Sequence, residues 1–377
     1  MFLFCFFQGV TLANMAPLPA PTQPNGRGAK SNATGRYESL VREAFDDGWT
    51  ELDEPPKKLR TVLHLERAKK IITTNDSPDI GFDRSINPYR GCEHGCIYCY
   101  ARPSHAYLEL SPGLDFETKL YAKTNAAELL RAELAKPGYK CSPIALGANT
   151  DCYQPIERKY RITRLILEIL AECEHPVTMV TKSALVERDL DLLAPMAKKN
   201  LVKVFVSIGT LDRALARKLE PRAASPQRRL DVIRSLHAQQ VPCGVMVAAL
   251  IPALNDKTLE HVLEEAAKAG AAEAAYVLMR LPNELKDLFK EWLAANYPAR
   301  ADHVISIVRQ IRGGKDNDPR FGSRMTGTGN FAELIGKRFD IACRRFGLNG
   351  HAGARRPPEL DCSRFRKPSP SGQMALF

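Results

Sequence analysis

The feature that most constrains this fold is a regular alternation of short apolar runs and helical patterns along residues 142–279. Strands that alternate with amphipathic helices predict a parallel sheet covered by helices. The predicted strands are Ser142–Ala148, Val177–Thr181, Val202–Ile208, Gly244–Ile251 and Ala274–Met279. A further short strand before residue 92 brings the pattern to about six βα units. We therefore predict an α/β fold, a partial (βα)₆ TIM-like barrel over residues 75–295, with its chemistry at the carboxyl ends of the strands.

Capping residues set several predicted helix boundaries. Ser225 is predicted to cap a helix that starts at the following proline. Asn255 is predicted to cap the helix over residues 259–267. Asn330 and Glu333 are predicted to form a capping box at the start of the last helix.

The flanks of the barrel divide by composition. Residues 1–74 are predicted to be a disordered tail and linker, because they are rich in Pro, Gly and charge. Residues 296–367 are predicted to be a small helical, basic C-terminal extension, and residues 368–377 a flexible tail.

The charge of the chain is unevenly distributed. The net charge is +11 over 377 residues, and residues 312–377 contain 13 Lys and Arg against 6 Asp and Glu. A basic segment of this kind favours a polyanionic partner, nucleic acid first. A basic surface without any partner is equally compatible with the charge.

The remaining bulk features point to the cytoplasm. No apolar run reaches the roughly 18 residues that a membrane-spanning helix needs. The apolar residues 1–7 lack a basic flank and a clear cleavage site, so we interpret them as sequence before a true start at Met15, not as a signal peptide. Three of the ten cysteines are clustered and seven are scattered, which is typical of a reduced compartment with one metal site. We expect a cytoplasmic protein without a membrane partner.

The clustered cysteines are Cys92, Cys96 and Cys99, with the spacing Cys-x₃-Cys-x₂-Cys. Thiolates suit iron–sulfur clusters and zinc, and three close cysteines with no fourth nearby favour a [4Fe–4S] cubane held at three corners. Glycines at positions 91 and 95 allow a tight backbone around it. The alternative is a zinc site completed by His94 or a distant cysteine. Structural zinc usually uses two separated ligand pairs, and a second pair is missing from this sequence.

The run Cys-x₃-Cys-x-Tyr-Cys at the mouth of a (βα)₆ barrel resembles the radical S-adenosylmethionine (SAM) superfamily. The resemblance implies a reduced [4Fe–4S] cluster whose open iron chelates SAM, which is cleaved to methionine and a 5′-deoxyadenosyl radical. The flanking sequences are similar to the spore photoproduct lyase branch, also described as DNA repair photolyase-like, and to an uncharacterised bacterial subgroup of it. The segments that carry this similarity are residues 87–91, 96–100, 181–183, 207–210 and 324–329.

The same resemblance implies roles for residues at strand ends. Lys182 is expected to bind the SAM carboxylate, Ser207 its ribose or amino group, and Thr150 another part of the cofactor. Tyr98 is expected to relay a hydrogen atom or to shield the cluster from water. The hydrogen-donor cysteine of spore photoproduct lyase aligns with an alanine here, and Cys152 is the candidate replacement, with a buried structural role as the alternative.

We expect a radical enzyme that acts on nucleic acid, in DNA repair or modification, and that needs an electron donor protein. The alternatives are a radical enzyme with a protein or small-molecule substrate, and a non-enzymatic zinc-stapled protein that binds nucleic acid. The last five residues resemble the peptide by which repair proteins bind the DNA sliding clamp. In it, Gln373 offers an amide, and Leu376 and Phe377 are adjacent apolar anchors.

Overall fold

The computed structural model describes residues 26–39, 59–351 and 358–368. Within these ranges ten strands occur: β1 Val62–Glu66, β2 Ile72–Thr74, β3 Arg84–Ile86, β4 Tyr89–Arg90, β5 Lys119–Lys123, β6 Ile144–Leu146, β7 Val177–Thr181, β8 Val202–Ser207, β9 Cys243–Leu250 and β10 Glu273–Leu278. The helices of the same ranges are α1 Asp115–Thr118, α2 Ala126–Ala135, α3 Glu157–Tyr160, α4 Ile162–Glu172, α5 Leu190–Lys198, α6 Arg213–Leu219, α7 Pro226–Ala238, α8 Leu259–Lys268, α9 Leu285–Asn296, α10 Ala301–Gln310 and α11 Asn330–Phe346.

Seven strands form one sheet in the order β10-β9-β8-β7-β6-β3-β2. Six of them, from β10 to β3, run parallel, and β2 pairs antiparallel with β3. The predicted partial (βα)₆ barrel is confirmed, including the five strands that the sequence located. Each of those strands is an apolar run, as expected of strands covered on both faces.

The covering helices follow the apolar periodicity of the sequence. In α4, for example, Ile162, Ile166, Ile169 and Leu170 are buried along one face. Outside the barrel, α11 packs against α8. No helix of the described ranges has both the length and the apolar character to cross a membrane.

Two predicted caps are wrong, and one is confirmed. The Ser225 hydroxyl accepts from the N–H of Arg228 at 3.3 Å and caps α7 as predicted. Asn255 does not cap α8. Its side-chain N–H groups donate to Gly209 O at 2.8 Å and Ala249 O at 3.0 Å, so it cross-links the ends of β8 and β9. Asn330 is the first residue of α11, which has Gly329 at its N-cap position, so no capping box forms.

The N-terminal part differs from the predicted tail and linker. β1 pairs with β5 in a second, three-stranded sheet of order β1-β5-β4. Residues 27–29 make hydrogen bonds to α1. The sequence pattern of β1 does not indicate a buried strand, because most of its side chains are exposed. The apolar residues 1–7, Met15 and the predicted clamp-binding residues Gln373, Leu376 and Phe377 lie outside the described ranges.

Candidate active site

The cysteine loop, residues 91–100, follows β4 and lies at the carboxyl ends of the barrel strands. His94 in this loop lies 3.2 Å from Asp151, which follows β6. The His94 carbonyl accepts from the N–H of Arg222, which lies between α6 and α7. Cys92 and Cys96 are buried, and Cys99 is partly exposed. The structure therefore places the three predicted ligands on one loop at the mouth of the barrel, the end where such folds carry their chemistry.

The tight shape of the loop depends on two glycines. Gly91 and Gly95 have φ angles of 72° and 66°, in the left-handed region that other residues seldom adopt. A Cβ at Gly91 would lie 2.6 Å from the Leu120 side chain, which leaves no room for it. The predicted role of both glycines in folding the loop is confirmed.

A buried ion pair stabilises the cysteine loop from the protein interior. Arg102 is fully buried and donates to the carbonyls of Cys96 at 2.8 Å and Gly95 at 3.1 Å. Its charge is balanced by Glu117 of α1, which is also fully buried. A buried guanidinium needs such a partner, because an isolated charge in the interior is strongly unfavourable. Sequence reasoning missed both residues, since neither belongs to a recognisable motif.

An N-terminal strap, residues 27–29, covers the loop from outside. The two carboxylate oxygens of Glu117 accept from the N–H groups of Gly28 at 2.9 Å and Ala29 at 2.8 Å. The strap lies so close to the loop that a Cβ at Gly28 would lie 1.8 Å from the carbonyl oxygen of Gly95. Glycine is therefore required at position 28, and the strap packs directly against the cysteine loop at Gly95.

Gln154 clamps the backbone on both sides of Cys92. Its amide donates to Gly91 O at 3.1 Å and accepts from the N–H of Glu93 at 2.9 Å. Gln154 is fully buried and lies in the segment between β6 and α3. Its two hydrogen bonds fix the backbone from which the Cys92 side chain projects.

Asp151 ties the cysteine loop to the end of β7. Its carboxylate accepts from the Thr181 hydroxyl and from the Lys182 N–H, both at 2.8 Å. Burial alone would raise the pKa of Asp151, but the neighbouring His94 and the backbone N–H donors hold it down to about 2. An ionised Asp151 thus connects two of the predicted functional segments.

The side chains of Lys182 and Tyr98 meet inside the mouth. The Lys182 ammonium lies 5.7 Å from the centroid of the Tyr98 ring, a cation–π distance. Burial would lower the pKa of Lys182, but the nearby Cys96 and Glu220 raise it, so the lysine stays charged. The Tyr98 hydroxyl donates a hydrogen bond to Glu220, which is paired with the buried Arg229. Burial and the Glu220 charge both raise the pKa of Tyr98 well above its usual value.

Ser207 and Thr150 lie at strand ends, as expected, but both hydroxyls already have partners. Ser207 Oγ donates to Ala248 O at 3.3 Å, a weak bond that a ligand can replace. Thr150 Oγ1 donates to Tyr89 O at 2.8 Å, which leaves only its acceptor capacity for a cofactor. The cofactor contacts of both residues stay predictions.

Cys152 and Tyr100 have opposite environments. Cys152 is fully buried in the main hydrophobic core, and burial raises its thiol pKa well above the usual value. A core position matches the structural alternative and gives the predicted hydrogen-donor role no support. Tyr100 is 50% exposed, and its hydroxyl donates to Ala148 O at the end of β6.

Three free thiols on one loop are the donor set that an iron–sulfur cluster uses. Among the described residues, no group of three or more His, Cys, Asp or Glu side chains is arranged to hold a single metal ion. Burial raises the pKa of Cys92 well above its usual range and that of Cys96 to about 12, so metal binding must release protons.

The family and the relatives agree with this geometry. Residues 86–266 match the model of the radical SAM superfamily. An uncharacterised protein of Mycobacterium tuberculosis is 40% identical over 231 residues, which cover 61% of this chain and 68% of the relative. The chain belongs to the radical SAM superfamily. An uncharacterised protein of Methanocaldococcus jannaschii is 28% identical over 232 residues, which cover 62% of this chain and 82% of that protein. Members of the radical SAM superfamily use a [4Fe–4S] cluster and SAM, which are therefore the cofactors of this enzyme.

Solved structures with the same fold include spore photoproduct lyase. Its complex with a dinucleoside spore photoproduct superposes with a TM-score of 0.55 at 16% identity, over 77% of this chain and 80% of that one. A variant of that lyase with bound SAM and the dinucleoside gives a TM-score of 0.54 at the same identity and coverage. The likeness establishes the partial-barrel fold of this radical SAM protein.

Proposed function

We propose that Cys92, Cys96 and Cys99 bind the [4Fe–4S] cluster of this radical SAM enzyme, and that its substrate is nucleic acid, in DNA repair or modification. The observation that carries the proposal is the convergence of the three free cysteines with Lys182 at the mouth of the barrel. The donor set fits the cluster, because thiolates are its usual ligands. Zinc stapling without catalysis is disfavoured by membership in the superfamily.

The cluster and SAM supply the 5′-deoxyadenosyl radical, and the protein supplies binding, orientation and a dry environment. Lys182 offers a fixed ammonium group to the SAM carboxylate, and the end of β8 at Ser207 offers a hydroxyl to the ribose or amino group. The Tyr98 ring lies next to the Lys182 ammonium, and its hydrogen bond to Glu220 fixes the orientation of the ring. The strap of residues 27–29 and the Arg102–Glu117 pair keep the loop rigid and shielded.

Two lines support a nucleic-acid substrate. Spore photoproduct lyase, which has the same fold, has been solved in complex with a dinucleoside spore photoproduct. The net charge of this chain is +11, and a positive protein attracts a polyanion. Part of the positive charge of the basic C-terminal extension is neutralised locally, since Arg324, Arg338 and Arg364 pair with acidic residues. The surface that the proposal concerns is the mouth of the barrel, where the cysteine loop lies.

Salt dependence of binding tests the substrate class. Labelled DNA, RNA and an unrelated acidic protein should be titrated with the reconstituted enzyme at several salt concentrations. Neutralised phosphates give a linear fall of log K with log salt, with a slope of about −0.7 per phosphate for single strands. We expect such a slope for a nucleic acid. Binding to neither nucleic acid would contradict the proposal and favour a protein or small-molecule substrate.

The partners complete the proposal. Radical SAM enzymes need an electron donor, and we assign that role to a separate donor protein. The nine cysteines of the described ranges are all free, which suits a cytoplasmic location. The tail residues Gln373, Leu376 and Phe377 are proposed to bind the DNA sliding clamp, which would bring the enzyme to DNA.

A further inference from the structure

Arg280, which follows β10, lies at the mouth of the barrel. Its Nε atom is buried and has no hydrogen-bond partner among the residues that the structure describes. Its guanidinium donates to the Met325 sulfur at 3.5 Å, and a thioether sulfur is a weak acceptor. No carboxylate of the described residues lies within ion-pair distance of it, although other arginines nearby are paired. Arg280 is partly exposed, so its guanidinium can reach a ligand in the mouth, and a buried Nε without a good acceptor is unfavourable. This arrangement points to an external anion.

The neighbours of Arg280 add positive charge. Arg324 forms an ion pair with Asp79, with its Nε 2.8 Å from the carboxylate. Arg312 is buried and donates to the carbonyls of Leu278, Met279, Ser323 and Arg324. The three guanidiniums have Asp79 as their one directly bonded carboxylate among the described residues. The group therefore keeps an excess of positive charge.

Burial and mutual repulsion both act on the pKa values of Arg280 and Arg312. Burial lowers the pKa of Arg280, and the charge of Arg324 lowers it further. Burial and, to a smaller extent, the charge of Arg280 lower the pKa of Arg312 to about 10. Both directions mean that the charged forms lack full compensation in the protein alone, and a bound anion would supply it.

The position of Arg280 connects this charge to the reaction site. Its guanidinium lies 5.9 Å from the centroid of the Tyr100 ring, and Tyr100 follows Cys99 directly. Tyr100 in turn binds the end of β6 through its hydroxyl. Hydrogen bonds from Arg312 connect the end of β10 to the carbonyls of residues 323 and 324. They fix the backbone next to Arg280.

We propose that Arg280 binds a phosphate group of the nucleic-acid substrate at the mouth of the barrel. The inference rests on the proposed function and adds to it the residue that holds the substrate backbone beside the cysteine loop. A guanidinium suits this role because it binds phosphate through two parallel N–H donors. The carboxylate of SAM is the other anion in the site, and Lys182 at the end of β7 is positioned for it.

The test compares substrate and SAM binding in matched variants of the full, cluster-loaded protein. Arg280→Gln removes the positive charge, and Arg280→Lys keeps the charge but loses the two parallel N–H donors. The control, Arg344→Gln, removes one positive charge from the exposed end of α11. Binding of a fluorescein-labelled single-stranded DNA is measured by anisotropy at several salt concentrations, and SAM affinity by equilibrium dialysis. Thermal unfolding of each variant checks that it is folded.

We expect Arg280→Gln to weaken DNA binding about tenfold and to reduce the salt slope by about 0.7, the share of one single-strand phosphate. Arg280→Lys should lose less DNA affinity than Arg280→Gln, and Arg344→Gln should bind DNA like the wild type. The affinity for SAM should be unchanged in all three variants. A loss of SAM affinity in Arg280→Gln would identify its anion as the SAM carboxylate and overturn the inference.

Two further outcomes separate this inference from the proposed function. Equal DNA binding by wild type and Arg280→Gln, or equal losses in Arg280→Gln and Arg344→Gln, would overturn the role of Arg280 and leave the nucleic-acid substrate standing. Absence of DNA and RNA binding by the wild type would overturn both.

Discussion

The Asp151 carboxylate accepts a hydrogen bond from the backbone N–H of Lys182 at 2.8 Å. Since Asp151 also lies 3.2 Å from His94, the lysine is held in a fixed position relative to the cysteine loop. Two long-range contacts thus bring together residues that are about ninety positions apart in the chain. A preorganised charge of this kind binds a ligand without a further ordering cost.

Lys182→Ala should weaken SAM binding while the iron content stays unchanged. Losing a charge-assisted hydrogen bond typically costs about 1.5–3 kcal/mol, so the affinity should fall about tenfold or more. Equilibrium dialysis with labelled SAM measures this, and Lys257→Ala, which changes an exposed lysine, is the control. An unaltered affinity in Lys182→Ala would remove this residue from the cofactor site.

Replacement of Cys92, Cys96 or Cys99 by Ala should abolish SAM cleavage, because a cubane held at two corners is labile. Iron and sulfide content after anaerobic reconstitution should fall with it. Cys243→Ala and Cys343→Ala, which change cysteines buried in the main core, should keep the full iron content. If all three loop variants retain turnover, the ligand assignment is wrong.

His175 should make the stability of the fold depend on pH. The imidazole is buried, with Nδ1 2.9 Å from Pro176 O and Nε2 2.7 Å from the Tyr139 hydroxyl. Burial and, to a smaller extent, the charge of Arg84 lower its pKa to about 4, although the contact with the Pro176 carbonyl opposes this. The folded state therefore holds His175 neutral.

The direction in which stability changes with pH follows from this lowered pKa of His175. Between about pH 6.5 and pH 4 the unfolded chain binds a proton that the folded chain does not, so stability falls as the pH falls through that window. The loss amounts to on the order of 3 kcal/mol. Urea unfolding at pH 7 and pH 4.5 should show a smaller pH effect for His175→Gln than for the wild type. The same pH effect in both proteins would show that His175 does not titrate as described.

The C-terminal tail gives a prediction about partners. A synthetic peptide of residues 368–377 should bind a bacterial sliding clamp with micromolar affinity, since Leu376 and Phe377 can fill an apolar pocket. The same peptide with Leu376→Ala and Phe377→Ala should not bind. Failure of both the wild-type peptide and the full protein to bind the clamp would end the proposal for the tail without affecting the radical chemistry.

The sequence predicted the barrel well, because β7 and β8 are apolar runs whose character comes from burial on both faces. It missed the β1-β5-β4 sheet, although Lys119–Lys123 does alternate between buried and partly exposed positions. It misassigned Asn255, whose contacts with Gly209 and Ala249 depend on the packing of two strand ends.

The candidate site was predictable only where the chemistry is local. The spacing of the three cysteines is a short-range pattern and indicated the cluster directly. Arg102 could have been noticed as a basic residue close to the loop, but Glu117, Gln154 and Asp151 contribute through contacts across the fold. Arg280 carries no motif, and its lack of a carboxylate partner is visible only in three dimensions.

The central claim, radical chemistry on nucleic acid, is tested most directly by hydrogen transfer. The reconstituted, reduced enzyme is incubated anaerobically with SAM and uniformly deuterated DNA or RNA, untreated or irradiated with ultraviolet light. Mass spectrometry then measures deuterium in the 5′-deoxyadenosine released, with Cys96→Ala as the inactive control. We predict that 5′-deoxyadenosine gains deuterium from at least one of these nucleic acids. Unlabelled 5′-deoxyadenosine, formed at the same rate with and without every nucleic acid, would contradict the account.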